Sequence, residues 1–315
     1  MPSNFRGWSF RTIAAAFSLL ALTGAASAEI RVREINDFPA VKAPEGTTLK
    51  NGIPHGRVGY GAGKFFAVGV MKAWFAGPTD RYPHGILGDR IEASGVMFQP
   101  PTNDVPSAFL IKVPEGSVFE DVQPRIVDLD GDGIVEIVAI RSYLDAGASI
   151  AVIGYHEDED GAITSFWYQS PPIGEPNRWL NPVGIGDFDG DGTKEIVAVV
   201  TPHIGGVLTL YELEGDRLVP RPVLEDVSNH AIGSADLRLH AVIDWNGDGV
   251  LDIVVPDQSR RVLRFITLKG GVAVEIDQVD LGAEMIPPML QRSWKGGAWE
   301  IVVRLQDGRA VAVSR

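Results

Sequence analysis

The sequence predicts an all-β fold: a β-propeller of four-stranded antiparallel blades, about five of them, with six or seven as the alternatives. Three observations predict it. One stretch is written three times, as "DLDGDGIVEIV" from Asp128, "DFDGDGTKEIV" from Asp187 and "DWNGDGVLDIV" from Asp244. The copies start 59 and 57 residues apart, a period that points to blades, solenoids or arrays. Each copy is embedded in four short apolar or alternating runs separated by turn residues, the signature of a small antiparallel sheet.

The elements follow in order within each unit. A first strand leads into the Asp loop ("QPRIVDL", "NPVGIGDF", "LHAVIDW"), and a second leaves it ("EIVAI", "EIVAVV", "LDIVV"). A third alternates ("SIAVIGYHE", "GVLTLYELE", "RVLRFITLK"), and a fourth closes the unit ("AITSFWYQS", "RLVPRPVLE", "VAVEIDQVDL"). Asp160-Gly161, Glu214-Gly215-Asp216 and Gly270-Gly271 supply turns. No amphipathic helical period stands out after the N-terminal segment.

Two weaker copies flank these three. "WEIVVRLQDGRAVAVSR" has a second and third strand, but its preceding loop "RSWKGGAW" carries no carboxylate. Upstream, "HGILGDRIEASGVMF" places Glu92 where the acidic residue of a second strand would fall, followed by the strand-like "SAFLIKV". Anchoring on Glu92, Glu136, Glu195, Asp252 and Glu300 gives intervals of 44, 59, 57 and 48 residues. The chain ends after a third strand, so "RVREIND" or "FFAVGVMKAWFAG" is a candidate to complete the last unit and remove its exposed edge.

The bulk numbers set the class. The 315 residues are 45% hydrophobic and 22% charged, with a net charge of −13. This is ordinary globular composition, and its acidity argues against a nucleic-acid partner. There is no cysteine, so no disulfide contributes. Arg6 and Arg11, the apolar run "IAAAFSLLALTGA" and Ala26-Ser27-Ala28 make residues 1–28 a secretory signal peptide. The mature chain then starts near Glu29, has no membrane span, and forms a single domain over residues 29–315 that is periplasmic or secreted. Residues 29–80 are assigned to ring closure.

The loops carry the clearest chemistry. Numbered from the first Asp, carboxylates fall at positions 1, 3, 5 and 9: Asp128, Asp130, Asp132 and Glu136, then Asp187, Asp189, Asp191 and Glu195. The third copy has Asp244, Asn246, Asp248 and Asp252. Position 7 (Ile134, Thr193, Val250) is expected to offer its carbonyl. An all-oxygen set in a flexible turn suits Ca²⁺ at about three structural sites, and the lack of nitrogen or sulfur donors argues against zinc or copper in these loops. Affinity is expected on the order of 10⁻⁴–10⁻³ M, the range of extracellular modules. An EF-hand needs a bidentate Glu at position 12 and helical flanks. Position 12 here is Ala139, Ala198 or Val255, and both flanks are β-patterned.

The repeated "DxDGDGxxEIV" between two strands resembles the FG-GAP/VCBS repeats of integrin-α-like β-propellers, strongly over Pro124–Gly271 and weakly in the flanks. The resemblance implies a propeller with one Ca²⁺ in the first-to-second-strand turn of each intact blade, on the positions just named. Asn246 departs by losing a charge, and the flanking units lack the loop.

In a propeller the loops entering the first strand and the second-to-third-strand turns lie on the face away from the Asp loops. That face gathers Gln123, Arg178, Trp179, Asn181, His203, Asn229, His230, Asp257, Arg260 and Arg261, with His84 as a further candidate. Trp179, Asn181, His203, Asn229, His230 and Asp257 are the candidate binding residues. An aromatic beside polar groups can form a carbohydrate or peptide platform, while Trp179 can equally cap a blade core. Asp257 with Arg260 or Arg261 is expected to be a turn-bracing ion pair. No Gly-x-Ser-x-Gly elbow, P-loop or His-Glu-x-x-His motif is present. The reading is a binding module with a protein or carbohydrate ligand; the alternatives are a glycan- or phosphoester-directed hydrolase or lyase, and a structural subunit of an envelope assembly.

Overall fold

The computed structural model describes residues 29–41, 55–59, 68–69, 72–99, 108–157, 163–293 and 298–315. The signal-peptide assignment and the Asp160-Gly161 turn lie outside them. The described residues are all-β, with one 3₁₀ turn at Lys269–Gly271.

The paired strands form three sheets, of four, fourteen and four strands. Five units of four consecutive neighbours, numbered I to V along the chain, describe them; units I to III belong to the fourteen-stranded sheet, where Ser117–Phe119 pairs with both I and II and a single Gln169–Arg217 bridge joins II to III. Unit II comprises Arg125–Val127, Ile134–Tyr143, Gly147–Glu157 and Ile163–Gln169. Unit III comprises Leu180–Gly186, Glu195–Val200, Val207–Glu214 and Arg217–Glu225. Unit IV comprises Ala241–Ile243, Asp252–Pro256, Val262–Thr267 and Val274–Asp280. Within each, consecutive strands pair antiparallel, as the alternating patterns predict. β-branched and aliphatic residues dominate the second strands because both of their faces are covered. Ile196, Val197, Ala198 and Val199 are all fully buried.

Units V and I are less regular. Unit V comprises Met285–Ser293, Trp299–Leu305 and Ala310–Ser314, and Arg31–Glu34 pairs antiparallel with Ala310–Ser314 as its fourth strand. The N-terminal "RVRE" therefore covers the edge left open by the C-terminus. "FFAVGVMKAWFAG" instead contributes Lys72–Thr79 to unit I, whose order is His55–Gly59, Lys72–Thr79, Glu92–Gln99, Phe109–Lys112. Glu92 thus opens the third strand of its sheet rather than the second.

Apolar side chains from facing sheets form one core between each neighbouring pair. Phe75, Val96 and Phe98 of unit I meet Ile137 and Ile153 of unit II. Val138 and Ile150 of unit II meet Leu180 and Ile196 of unit III. Val197 and Leu208 of unit III meet Ile253 and Ile266 of unit IV. Val254 and Phe265 of unit IV meet Met285 and Val303 of unit V. The far face of unit V packs Val302 and Ala312 against Ile35 and Phe38. Units II to IV thereby bury both faces, with their loops at the two ends of the strands.

Candidate functional site: the Asp loops and the histidine end

The three Asp loops fold on local hydrogen bonds. Glycines at positions 4 and 6 take φ of 77° and 88° in unit II, 84° and 95° in unit III, and 77° and 88° in unit IV. Only glycine enters that region freely, so the turn cannot be made from other residues without strain. The first carboxylate accepts the position-4 N–H (Gly131 to Asp128 at 2.8 Å, Gly190 to Asp187 at 2.7 Å, Gly247 to Asp244 at 2.8 Å). The position-5 carboxylate accepts the position-7 N–H (Ile134 to Asp132 at 2.7 Å, Thr193 to Asp191 at 2.8 Å, Val250 to Asp248 at 3.0 Å).

Position 9 differs in kind. Glu136, Glu195 and Asp252 are 1%, 2% and 0% exposed. Each accepts the N–H of the residue after the first Asp: Leu129 to Glu136 at 2.9 Å, Phe188 to Glu195 at 2.9 Å, Trp245 to Asp252 at 2.8 Å. That uses one carboxylate oxygen. The other, Glu136 Oε1 or Asp252 Oδ1, is buried with no hydrogen-bond partner. In unit III the Thr193 hydroxyl lies 3.2 Å from Glu195 Oε1 but also 2.6 Å from Asp191 Oδ1, and its single proton serves one of them. Burial, reinforced by Asp130, Asp132 and Asp128, pushes the Glu136 carboxyl up to about 7. Burial also raises Glu195 and Asp252.

An orphaned buried carboxylate oxygen is costly. A cation among carboxylates removes the cost, and these donors converge: ligand atoms of Asp128, Asp130 and Glu136, and of Asp187, Asp189 and Glu195, lie within 4.8 Å of one another. The set is all oxygen, so the residues fit a hard cation. Neighbouring loops are also tied together. Lys194 Nζ donates to the Asp128 carbonyl at 2.5 Å, and Gly270 N–H donates to the Asp189 carbonyl at 2.8 Å.

The sequence profile of the FG-GAP-like repeat matches residues 126–198, spanning the first two Asp loops. Residues 126–198 are an FG-GAP-like repeat. No curated protein sequence matches the chain. Among solved structures, a chain of the Photorhabdus luminescens Tc holotoxin pore aligns with 78% of this chain and 15% of its own length, at 10% identity and a TM-score of 0.30. The FG-GAP-like repeat ends at the second strand of unit III; the third Asp loop is assigned by its residues and geometry alone.

Beyond the FG-GAP-like loops, the opposite end of the sheets carries the second cluster. Trp179 is 2% exposed, and its Nε1 donates to the Glu120 carbonyl at 3.0 Å. Its ring lies 4.8 Å from His230 and 6.5 Å from His203, nearly parallel to the latter. His203 Nε2 meets His230 Nδ1 at 2.9 Å, and His230 Nε2 meets the Ser234 carbonyl at 2.7 Å. Burial, then like charge, lowers His203 to about 4; burial chiefly does the same to His230. Asn181 and Asn229, both fully buried, each donate to the other's backbone carbonyl, at 3.2 and 3.3 Å, clasping the first strand of unit III to the entry loop of unit IV.

The structure therefore brings Trp179, Asn181, His203, Asn229 and His230 together, but turns four of them inward. Trp179 is packed core and offers no open stacking face. Asp257 stands apart: its carboxylate accepts the N–H groups of Arg261 (2.9 Å) and Val262 (3.0 Å) and the Ser259 hydroxyl (2.6 Å). The expected ion pair is not made, since Arg260 pairs with Glu284 and Arg261 donates to the Gly282 carbonyl. Asp257 braces its turn by accepting backbone N–H groups instead.

Two residues that the sequence reading passed over are central here. Glu120, fully buried, meets His84 Nδ1 at 2.7 Å and accepts the Ser142 hydroxyl at 2.5 Å. Tyr82 packs edge-on against His84 and accepts the Asn177 N–H at 2.9 Å. "FEDVQP" gave no signal beyond adjacent acids. Only the fold shows that Glu120 points into the sheet.

Proposed function

We propose that the chain is an exported, calcium-stabilised β-propeller of about five blades that acts as a binding module for a protein or carbohydrate ligand. The four-stranded antiparallel groups, the cores between successive groups and the strand that Arg31–Glu34 lends to unit V support the propeller reading. Residues 1–28 support export to the periplasm or beyond.

The observation that carries the calcium assignment is the buried, unpartnered oxygen of Glu136 and of Asp252, each beside carboxylates that fold back on one glycine turn. In this reading positions 1, 3, 5 and 9 and the position-7 carbonyl hold the ion. Bound Ca²⁺ supplies charge neutralisation and cross-links the turn to the second strand. The ligand face is the opposite end, since the loops there are not used for the metal.

Isothermal titration calorimetry of chelator-treated protein tests this. Close to three Ca²⁺ ions per chain are expected, and Glu136→Gln, Glu195→Gln and Asp252→Asn should each remove one. A wild-type stoichiometry of zero, or one unchanged in all three variants, would contradict it.

A further inference from the structure

A hollow of about 500 Å³ opens where the fourth strands of units II and III meet, and Tyr143, Trp167, Gln169, Arg217 and Pro220 are among the residues lining it. A bridge between Gln169 and Arg217 joins the two strands there. Arg141 lies behind this wall, 8% exposed. Its guanidinium stands 4.5 Å from the centre of the Tyr143 ring and 5.5 Å from that of Trp167. Its Nε donates to the Ser117 hydroxyl at 3.0 Å, and its Nη1 donates to Gln169 Oε1 at 3.1 Å. Among the described residues no carboxylate pairs with it. Buried charges are ordinarily paired, and the contacts of this one are neutral.

The hydrogen bonds fix the orientation of the Gln169 amide. Arg141 Nη1 can only donate, so the atom it meets is the amide oxygen. The Tyr143 hydroxyl donates to the same oxygen at 2.7 Å, which leaves its own lone pairs unused. The amide Nε2 keeps two N–H groups, and Trp167 Nε1 keeps one. Neither has a partner among the described residues, and neither nitrogen is buried. The Arg217 side chain at the lip is 81% exposed, and its pairing with Asp216, at 3.7 Å, is a weak surface contact. The wall therefore offers donors, with an uncompensated positive charge directly behind them.

We propose that this hollow binds an acidic saccharide, typified by a glucuronate-containing disaccharide, whose carboxylate accepts from the Gln169 amide, the Trp167 indole N–H and the Arg217 guanidinium. Hydrogen bonds to an ionised acceptor are the strong ones. Arg141 is a positioning residue: its contact fixes the Gln169 amide, and its charge favours the anion from one side chain away. The Tyr143 oxygen can accept from a sugar hydroxyl, and the volume lies in the range of small-ligand sites, about 300–1,000 Å³. An acidic peptide is the poorer fit. Adding a strand along Arg217–Glu225 needs backbone N–H groups that Pro220 and Pro222 lack. The proposal gives the binding-module reading a ligand class but uses none of the calcium positions, so either can fail without the other.

The test is NMR of the whole ¹⁵N-labelled protein, titrated with a glucuronate-containing disaccharide, its neutral glucose counterpart or a short acidic peptide, all at the same millimolar Ca²⁺. The Trp167 indole and Gln169 side-chain N–H signals should move with the acidic sugar, and the neutral sugar should bind about tenfold more weakly or worse. Gln169→Glu and Arg217→Ala should each weaken the acidic sugar by about tenfold. Arg141→Lys should keep the preference for the acidic over the neutral sugar and Arg141→Met should lose it, a ratio that a purely structural role would not move. The wild-type signals stand even if an Arg141 variant fails to fold. Signals unmoved at millimolar sugar, equal affinity for the neutral sugar, tighter binding of the peptide at the same signals, or full affinity in the Gln169→Glu/Arg217→Ala double variant would each overturn the proposal.

Discussion

Units II and V solve the same electrostatic problem in different ways. Both place a glutamate at the corner where the first strand meets the second, Glu136 in one and Glu300 in the other, and both bury it (1% and 3% exposed). Around Glu300 the chain supplies its own cations: Arg33 Nη2 at 2.7 Å and Arg292 Nε at 2.5 Å, one on each carboxylate oxygen. Around Glu136 the neighbours are Asp128, Asp130 and Asp132, and one oxygen has no partner. A buried carboxylate needs a counter-charge or must stay protonated. Unit V carries that charge on guanidinium groups, one of them on the N-terminal strand. In units II and IV one oxygen of the buried carboxylate has no partner, and the Lys269 cation pairs with Asp248 rather than with Asp252. The comparison explains why the last unit can lose its acidic loop and keep its fold.

The largest effect should come from stripping unit V of its own cations. Replacing both Arg33 and Arg292 by alanine leaves Glu300 buried and unpaired, a change that costs about 3–5 kcal/mol for a buried pair. Chemical denaturation should show that loss equally in Ca²⁺ and in EDTA. Dependence of the loss on Ca²⁺ would break the comparison.

A neutral amide at the unit II corner should behave in the opposite manner. Glu136→Gln removes one calcium site, and a site held at a hundredfold excess over its Kd stabilises by about 2.7 kcal/mol. In calcium the variant should lose roughly that much. In EDTA it should be equal to or more stable than the wild type, because a buried repelling charge has gone. Glu300→Gln should be destabilised in both conditions.

The pH dependence of the calcium-free protein sharpens the point. Glu136 titrates near 7 in the folded state, above its unfolded value of 4.5. A carboxyl with a raised folded pKa contributes stability that is complete below the unfolded pKa and is lost as pH rises through the folded one. In EDTA Glu136 should therefore add stability as pH falls from about 7 to 4.5, and Glu92, raised to about 9 by burial, should add to it from a higher pH. Below 6.5 the depressed histidines His203, His230 and His240 oppose that gain, since their stabilisation is lost between 6.5 and about 4. The difference in melting temperature between the wild type and Glu136→Gln should change between about pH 7 and 4.5 and stay constant above about pH 8.

The smallest effect is expected at Asn246→Asp. It restores the position-3 carboxylate of the unit IV loop, its fourth, so calcium affinity there should rise a few-fold by calorimetry, with a slight loss of stability in EDTA.

Sequence made the units and the Asp loops readable because their determinants are local. Gly133, Asp132 and Glu136 lie within one turn and its following strand, and the strand patterns of units II to IV need only period-2 alternation. The histidine end was only partly readable. Its members come from Tyr82–His84, Glu120, Ser142, Asn177–Trp179, His203 and His230–Ser234, far apart in the chain and joined only by the packing of units I to IV. His84, His203 and His230 could be placed at one end from loop order. Their inward rotation, and the role of Glu120, could not, because both depend on contacts between sheets. Asp257 shows the same limit: its neighbours in sequence suggested an ion pair, whereas Arg260 reaches across to Glu284.

The central claim, that units II to IV take their missing positive charge from calcium, is tested most directly by thermal unfolding of the wild-type protein at pH 7.5 in EDTA and in saturating Ca²⁺. Three sites at about 2.7 kcal/mol each, with roughly 2–4 °C per kcal/mol for a chain of this size, predict a melting temperature at least about 15 °C higher in calcium. A melting temperature unchanged between the two conditions would contradict the account.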